Sequence, residues 1–334
     1  MRFVQTGLGG QGENMGTARS VHAAQKTLLG TEKAVPMFSR TVVLALLVTL
    51  TLAGQSTFRH DVKLVRLLVG VKNQAGELVG SLDRDAFEVY DCGVKQEIAI
   101  FERQTVQPLS VSVLMDTSWS TLKDVKLETN ALSKFFKSLL KEGNARDAAA
   151  LYSFSYDVTQ LHGFTRNLNQ LVTQLGRIKS TAGTSLYDAV RFAGRDVQGR
   201  EGRHVMVIVS DGGDTTSHWK YHDALEAAQK ADAVIYPVIV VPVTNDAGRN
   251  TGGEHALEQF ASNTGGRVLW ASSQGELDHA FDEILLDLRT QYLIAYYPKE
   301  MPKDAPRFHP VKVELKRSEL RASTRSGYYG DVVP

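Results

Sequence analysis

The chain has 334 residues, with 38 lysines and arginines against 37 aspartates and glutamates. That length suits one large and one small domain at roughly 150 residues per domain, and a net charge of +1 without a clustered basic face excludes a nucleic-acid footprint. Its single cysteine, Cys92, excludes an internal disulfide framework and a cysteine-based zinc site, and between Asp91 and Gly93 it reads as a structural or incidental turn thiol.

Residues 1–36 are polar, contain glycine and show no apolar period, so they read as an untranslated or disordered extension ahead of Met37. Arg40 then precedes an apolar run, 41–53, that ends in the small residue Ala53, the pattern of a secretory signal peptide over 37–53. The run is shorter than the ~20 residues that span a bilayer. The expected mature chain is therefore secreted or periplasmic with no membrane span, the alternative being an anchor formed by the uncleaved segment. No cysteine stands directly after the run, which argues against a lipoprotein.

A β-rich module is expected over 58–106. Residues 62–71 read as a strand, 73–76 as a turn, and 87–90 with 98–101 as a hairpin closed at Asp91, Cys92 and Gly93. From Pro108 the pattern alternates strand and helix, predicting a doubly wound α/β domain with a mostly parallel sheet over 108–290. Strands are expected at 111–115, 148–154, 158–161, 205–210, 234–241 and 267–270. Helices are expected at 125–140, 168–178, 185–196, 222–231, 256–263 and 274–289. Leu127, Leu132, Phe135, Phe136, Leu139 and Leu140 share a spacing suited to one buried helical face. The short link from 154 to 158 predicts a hairpin and one antiparallel edge strand. Residues 291–330 return to strand pattern, and because neither flank can bury a full core, they are expected to pair with the N-terminal module into one small β unit.

Candidate chemistry gathers at three loops. The first strand of the α/β region ends at Asp116, followed by Ser118 and Ser120; Thr184 stands in a glycine-containing loop that opens a helix; a second buried-strand run ends at Asp211, before Gly212. Ligands of doubly wound sheets sit beyond the carboxyl ends of the strands, and hard divalent cations favour oxygen donors of this kind. Taken singly, D-x-S-x-S is also a turn or helix-cap pattern. Together the three segments resemble the von Willebrand factor type A domain with its metal-ion-dependent adhesion site. That resemblance implies Mg²⁺ (or Mn²⁺) held by Asp116, Ser118, Ser120, Thr184 and Asp211, with a position left for the Asp or Glu carboxylate of a protein partner. It also implies that partner binding is coupled to movement of the final helix, 274–289, although the junction into 291–297 could equally pin that helix. Asp214 reads as a loop or cap residue, and Trp119 as either a partner contact or a side chain folded back on apolar surface. The phrase from Leu82 to Gln96 and the ending at Arg325, Gly327, Tyr328 and Tyr329 resemble bacterial secreted proteins related to the same family.

Enzyme readings lack their residues. No glycine-rich phosphate turn follows the first α/β strand, no P-loop or G-x-S-x-G elbow is present, and Ser118 stands where a haloacid-dehalogenase-type phosphatase needs a second aspartate. His218 and His222 are spaced i, i+4 but without the glutamate of a zincin, and read as exposed. The expected function is a non-catalytic, metal-dependent protein-binding module; the alternative is an envelope scaffold in which the metal only stabilises a loop.

Overall fold

The computed structural model describes residues 64–103, 107–119, 125–241, 251–299, 301–302 and 306–330. The extension 1–36 and the signal segment 37–53 lie outside the described residues, as does Ser120.

Four strands lead the described chain: β1 (Val65–Lys72), β2 (Phe87–Asp91), β3 (Val94–Gln96) and β4 (Ile98–Glu102). The central α/β region follows. Its strands are β5 (Leu109–Asp116), β6 (Ala148–Phe154), β7 (Val158–Thr165), β8 (Arg203–Ser210), β9 (Ala233–Val240) and β10 (Leu269–Ala271). They form one sheet in the order β10-β9-β8-β5-β6-β7, parallel throughout except for β7, which runs antiparallel to β6. β5 and β8, every residue of which is buried, are near-continuous apolar runs, as strands covered on both faces should be.

Among the described residues, six helices cover the two faces: α1 (Val125–Glu142), α2 (Leu168–Leu175), α3 (Leu186–Val197), α4 (Tyr221–Lys230), α5 (Thr251–Thr264) and α6 (Gln274–Thr290). α1, α2 and α6 pack on one face, where Phe135, Phe136, Leu171, Phe281 and Ile284 meet Val111, Val113 and Val207. α3, α4 and α5 pack on the other, where Leu186, Val190, Ala228 and Phe260 meet Leu114, Met206 and Ile208. This is a doubly wound α/β fold with a mostly parallel sheet. Because β6 and β8 flank β5 on opposite sides, the chain reverses direction across the sheet beside β5, and its carboxyl end faces the resulting crevice.

Three expectations fail locally. The strand at 87–90 forms its hairpin with Val94–Gln96, because the turn closes within Cys92 and Gly93, both at positive φ; the expected partner at 98–101 pairs with Tyr292–Tyr296 in another sheet instead. Leu127 is more than one-third exposed, and Glu128 takes the buried place beside it in α1. A carboxylate in the first helical turn gains from the helix dipole, which apolar spacing does not register. Helix α5 begins at Thr251, ahead of the expected 256, because Gly252 and Gly253 argue against a helix by propensity. The position of Gly253 is set by contact instead: a Cβ there would lie 2.0 Å from the Gly213 nitrogen, so only glycine lets this turn approach the loop after β8.

The remaining strands are β11 (Tyr292–Tyr296), β12 (Phe308–Leu315), β13 (Arg321–Ser323) and β14 (Gly327–Tyr329). They interleave with the leading ones into two four-stranded sheets, β13-β1-β11-β4 and β14-β12-β2-β3. Leu67, Val69, Phe87, Val89, Tyr292, Ile294 and Val311 build one core between them, with the Phe87 and Tyr292 rings 5.0 Å apart. The flanking unit is thus a small sandwich to which both ends of the described chain contribute.

The corner between α6 and β11 is fastened from beneath the α/β sheet. Arg203, buried at the start of β8, donates to the Leu288 carbonyl at 2.5 Å and to the Gln291 side-chain oxygen. Gln291 in turn donates to the Tyr236 hydroxyl at 3.0 Å. Burial pushes the Arg203 pKa down to about 10, and the side chain stays charged at neutral pH. On the last two turns of α6, Arg267 binds both Asp287, at 2.8 Å, and Glu283, at 2.9 Å. Among the described residues no helix is long and apolar enough to cross a membrane.

Candidate metal-binding loops at the carboxyl edge of the sheet

Asp116 is the last residue of β5 and is fully buried. Its Oδ2 accepts a hydrogen bond from the Ser210 hydroxyl at 2.6 Å, and its Oδ1 accepts the Ser118 N–H at 2.9 Å. Burial pushes the Asp116 carboxyl up to about 6, against the pull of these donors, and the charge of Asp211 raises it further. Two acidic groups are therefore held in electrostatic contact at the ends of the neighbouring strands β5 and β8.

Hydrogen bonds stitch the three loops together. Thr117 N–H donates to the Phe154 carbonyl at the end of β6, and its own carbonyl accepts from Thr181 N–H at 3.0 Å. Ser118 and Thr181 form a parallel bridge. The Thr184 N–H donates to the Thr215 hydroxyl at 2.9 Å, while the Thr184 carbonyl accepts the N–H groups of Thr215 and Thr216. Ser185 is buried; its hydroxyl donates to the Tyr156 carbonyl at 2.7 Å and meets the Thr216 hydroxyl at 2.8 Å. Gly183 makes this crossing possible: its φ of +85° lies where a side chain is strained, and a Cβ would lie 3.1 Å from the Thr216 side chain.

Of the five residues singled out by sequence, Asp116, Ser118, Thr184 and Asp211 thus sit on loops that are bonded to one another, and Ser120 lies outside the described residues. Asp214 is a cap: its carboxylate accepts the Tyr187 N–H at 3.2 Å in the first turn of α3 and a bond from Ser217. His218 and His222 are exposed. Trp119 stands two-thirds exposed next to Ser118, and Tyr156 is equally exposed beside the Gly183 turn. Ser210 was not singled out by sequence, because a serine at the end of an apolar run carries no pattern of its own; its role is visible only when β8 lies beside β5. The donor set fits a hard cation. It consists of carboxylate and hydroxyl oxygens, two of them on mutually repelling acids, and one acid is buried at a cost that a positive charge would offset.

A second cluster stands in the flanking sandwich, where Asp91, Cys92 and His309 place a potential ligand atom each within 4.8 Å of one another. By sequence, the single cysteine excluded any cysteine-based zinc site, yet the fold brings it beside an acid and a histidine. A mixed set, with His309 far away in sequence, escapes any reading by spacing.

A family model described as von Willebrand factor type A domain matches residues 110–283. No curated protein matches the sequence. Among solved structures, the chain is similar to the conserved hypothetical protein BatB from Bacteroides thetaiotaomicron (17% identity, TM-score 0.43, covering 55% of this chain and 100% of that one). It is similar also to the vWF domain of the type V pili tip protein Mfa5 from Porphyromonas gingivalis (14% identity, TM-score 0.45, 60% of this chain and 99% of that one). A third is the PilB minor pilin from Streptococcus sanguinis (12% identity, TM-score 0.44), where 56% of this chain matches 63% of the pilin.

Proposed function

The chain belongs to the von Willebrand factor type A domain family, and from that premise we propose that it is a non-catalytic, metal-dependent protein-binding module. The observation that carries this reading is the buried Asp116 carboxylate, set beside Asp211 where three mutually bonded, hydroxyl-rich loops meet. Mg²⁺ or Mn²⁺ would be held by Asp116, Ser118, Ser120, Thr184 and Asp211, supplying a positive charge that an Asp or Glu carboxylate of the partner can complete. In this reading residues 108–290 are the binding domain, and 58–106 with 291–330 form its β module. Trp119 and Tyr156 are the aromatic anchors beside the metal loops, the residue types that dominate protein interfaces. The segment 37–53 is taken as the export signal, which places the module in the periplasm or outside the cell.

A second reading is favoured by the direct hydrogen bonds among the loops, which hold them together without a cation. In it the domain is an assembly scaffold and the metal only stabilises a loop. Affinity capture from native envelope extract, with Mg²⁺ and with chelator, separates the two. The expected result is a partner retained with Mg²⁺, released by chelator, and lost when its contacting acid is changed to the amide. Trp119→Ala should weaken that binding by about 2 kcal/mol, a typical loss at a central aromatic. Capture that survives chelation favours the scaffold, and a partner found only in cytosolic extract contradicts the exported placement.

A further inference from the structure

Asp91 ends β2, Cys92 begins the turn into β3, and His309 lies on the neighbouring strand β12. The Cys92 N–H donates to the Pro310 carbonyl at 2.9 Å, which fixes the turn against that strand. Asp91 is wholly buried. Both the Tyr296 and the Tyr328 hydroxyls donate to its Oδ2, each at 2.8 Å. Its other oxygen, Oδ1, accepts no nitrogen or hydroxyl donor, a costly state for a buried group; the Cys92 thiol interacts with the carboxylate, and burial with that interaction raises the thiol pKa. That oxygen faces His309 Nδ1 at 3.5 Å, and the Cys92 sulfur completes a triangle with sides no longer than 4.8 Å.

The two tyrosines therefore do for Asp91 what outer partners do for a metal-binding carboxylate. They occupy one oxygen and aim the other. His309 is 14% exposed on its side chain and Cys92 is half-buried, so the triangle is reachable from solvent on one side. We propose that Asp91, Cys92 and His309 form a binding site for a borderline divalent transition ion of the zinc class, separate from the oxygen-lined loops of the α/β domain. The ligand types decide the class: thiolate and imidazole favour Zn²⁺ and disfavour Mg²⁺, whose sites are built from oxygen. Three protein ligands leave a fourth tetrahedral position for water. Binding forms one bond each to Sγ, Nδ1 and Oδ1; the thiol proton leaves to solvent and no electron is transferred. The ion would tie the β2–β3 turn to β12, joining the two ends of the described chain.

Because Cys92 is the chain's single cysteine, any thiolate signal reports this site alone. The full chain is stripped with chelator, returned to excess Mg²⁺ to satisfy oxygen sites, and titrated with Co²⁺ as the spectroscopic probe. The expected result is a sulfur-to-cobalt charge-transfer band that saturates at one ion per chain and is displaced by Zn²⁺. Zn²⁺ should likewise protect Cys92 from alkylation. Cys92→Ser should abolish the band, and His309→Gln should weaken Co²⁺ binding by at least about ten-fold. Asp91→Asn is a poorer test, because it disturbs the acceptor of two tyrosines and can unfold the sandwich. Absence of the band together with unchanged alkylation in folded protein overturns the proposal. So does undiminished Co²⁺ affinity in folded His309→Gln. Neither outcome bears on the Mg²⁺ reading of the α/β domain.

Discussion

Replacing Arg203 with alanine is expected to lower the stability of the folded chain by roughly 3–5 kcal/mol. The estimate adds two hydrogen bonds to a charged group at about 1.5–3 kcal/mol each, less the relief of no longer burying the charge. The acceptors left behind are the Leu288 carbonyl and the Gln291 side chain, both at the point where α6 turns into β11. Urea unfolding should show a lower midpoint with an unchanged slope. Arg203→Lys should recover only a minor part, because an ammonium cannot present the two-pronged fork that reaches both acceptors. A loss below about 1 kcal/mol, the net worth of one ordinary hydrogen bond, would mean that the corner is held by packing alone.

Gly253→Ala tests a case in which propensity and contact disagree in sign. Alanine in a helix is favoured over glycine by about 1 kcal/mol, yet here the added Cβ would meet the Gly213 backbone at 2.0 Å and 2.3 Å. Neither partner is a flexible side chain. The loop that carries Asp211 must therefore move, and overpacking of this kind costs roughly 1–3 kcal/mol. Metal affinity should fall about 10- to 100-fold, as when an outer support of a metal site is removed. Gly275→Ala in α6 is the control: its Cβ meets nothing within 4 Å, and it should leave metal affinity unchanged. Equal behaviour of the two variants in thermal melts and Mg²⁺ titrations would sink the contact argument.

Gly253 also shows why part of the structure was hidden in the sequence. The α/β core was legible because β5 and β8 are unbroken apolar runs and α1 repeats its apolar residues at helical spacing. The metal-loop candidates were legible because acids and hydroxyls stand where those runs end. What escaped depends on neighbours distant in the chain. The helical turn at Gly253 exists to approach Gly213. Ser210 matters only because β8 lies against β5, which lets its hydroxyl reach Asp116. Glu128 took a buried place that apolar spacing had assigned to Leu127. Asp91, Cys92 and His309 come together only through the pairing of β12 with β2, which local patterning does not encode.

Metal binding at the loops is tested most directly by Mg²⁺ titration of the full chain, followed by thermal melting alongside the Ser118→Ala, Asp211→Ala double variant. A ligand specific to the native state stabilises by about 2.7 kcal/mol at 100 times its Kd. Both substitutions lie on loops at the sheet edge, and should leave the core of the fold intact. The wild-type chain should show a saturable rise in Tm, fitting one Mg²⁺, and the variant no rise. A variant that melts as a folded protein and still shows the full Mg²⁺-dependent rise would contradict metal binding at these loops.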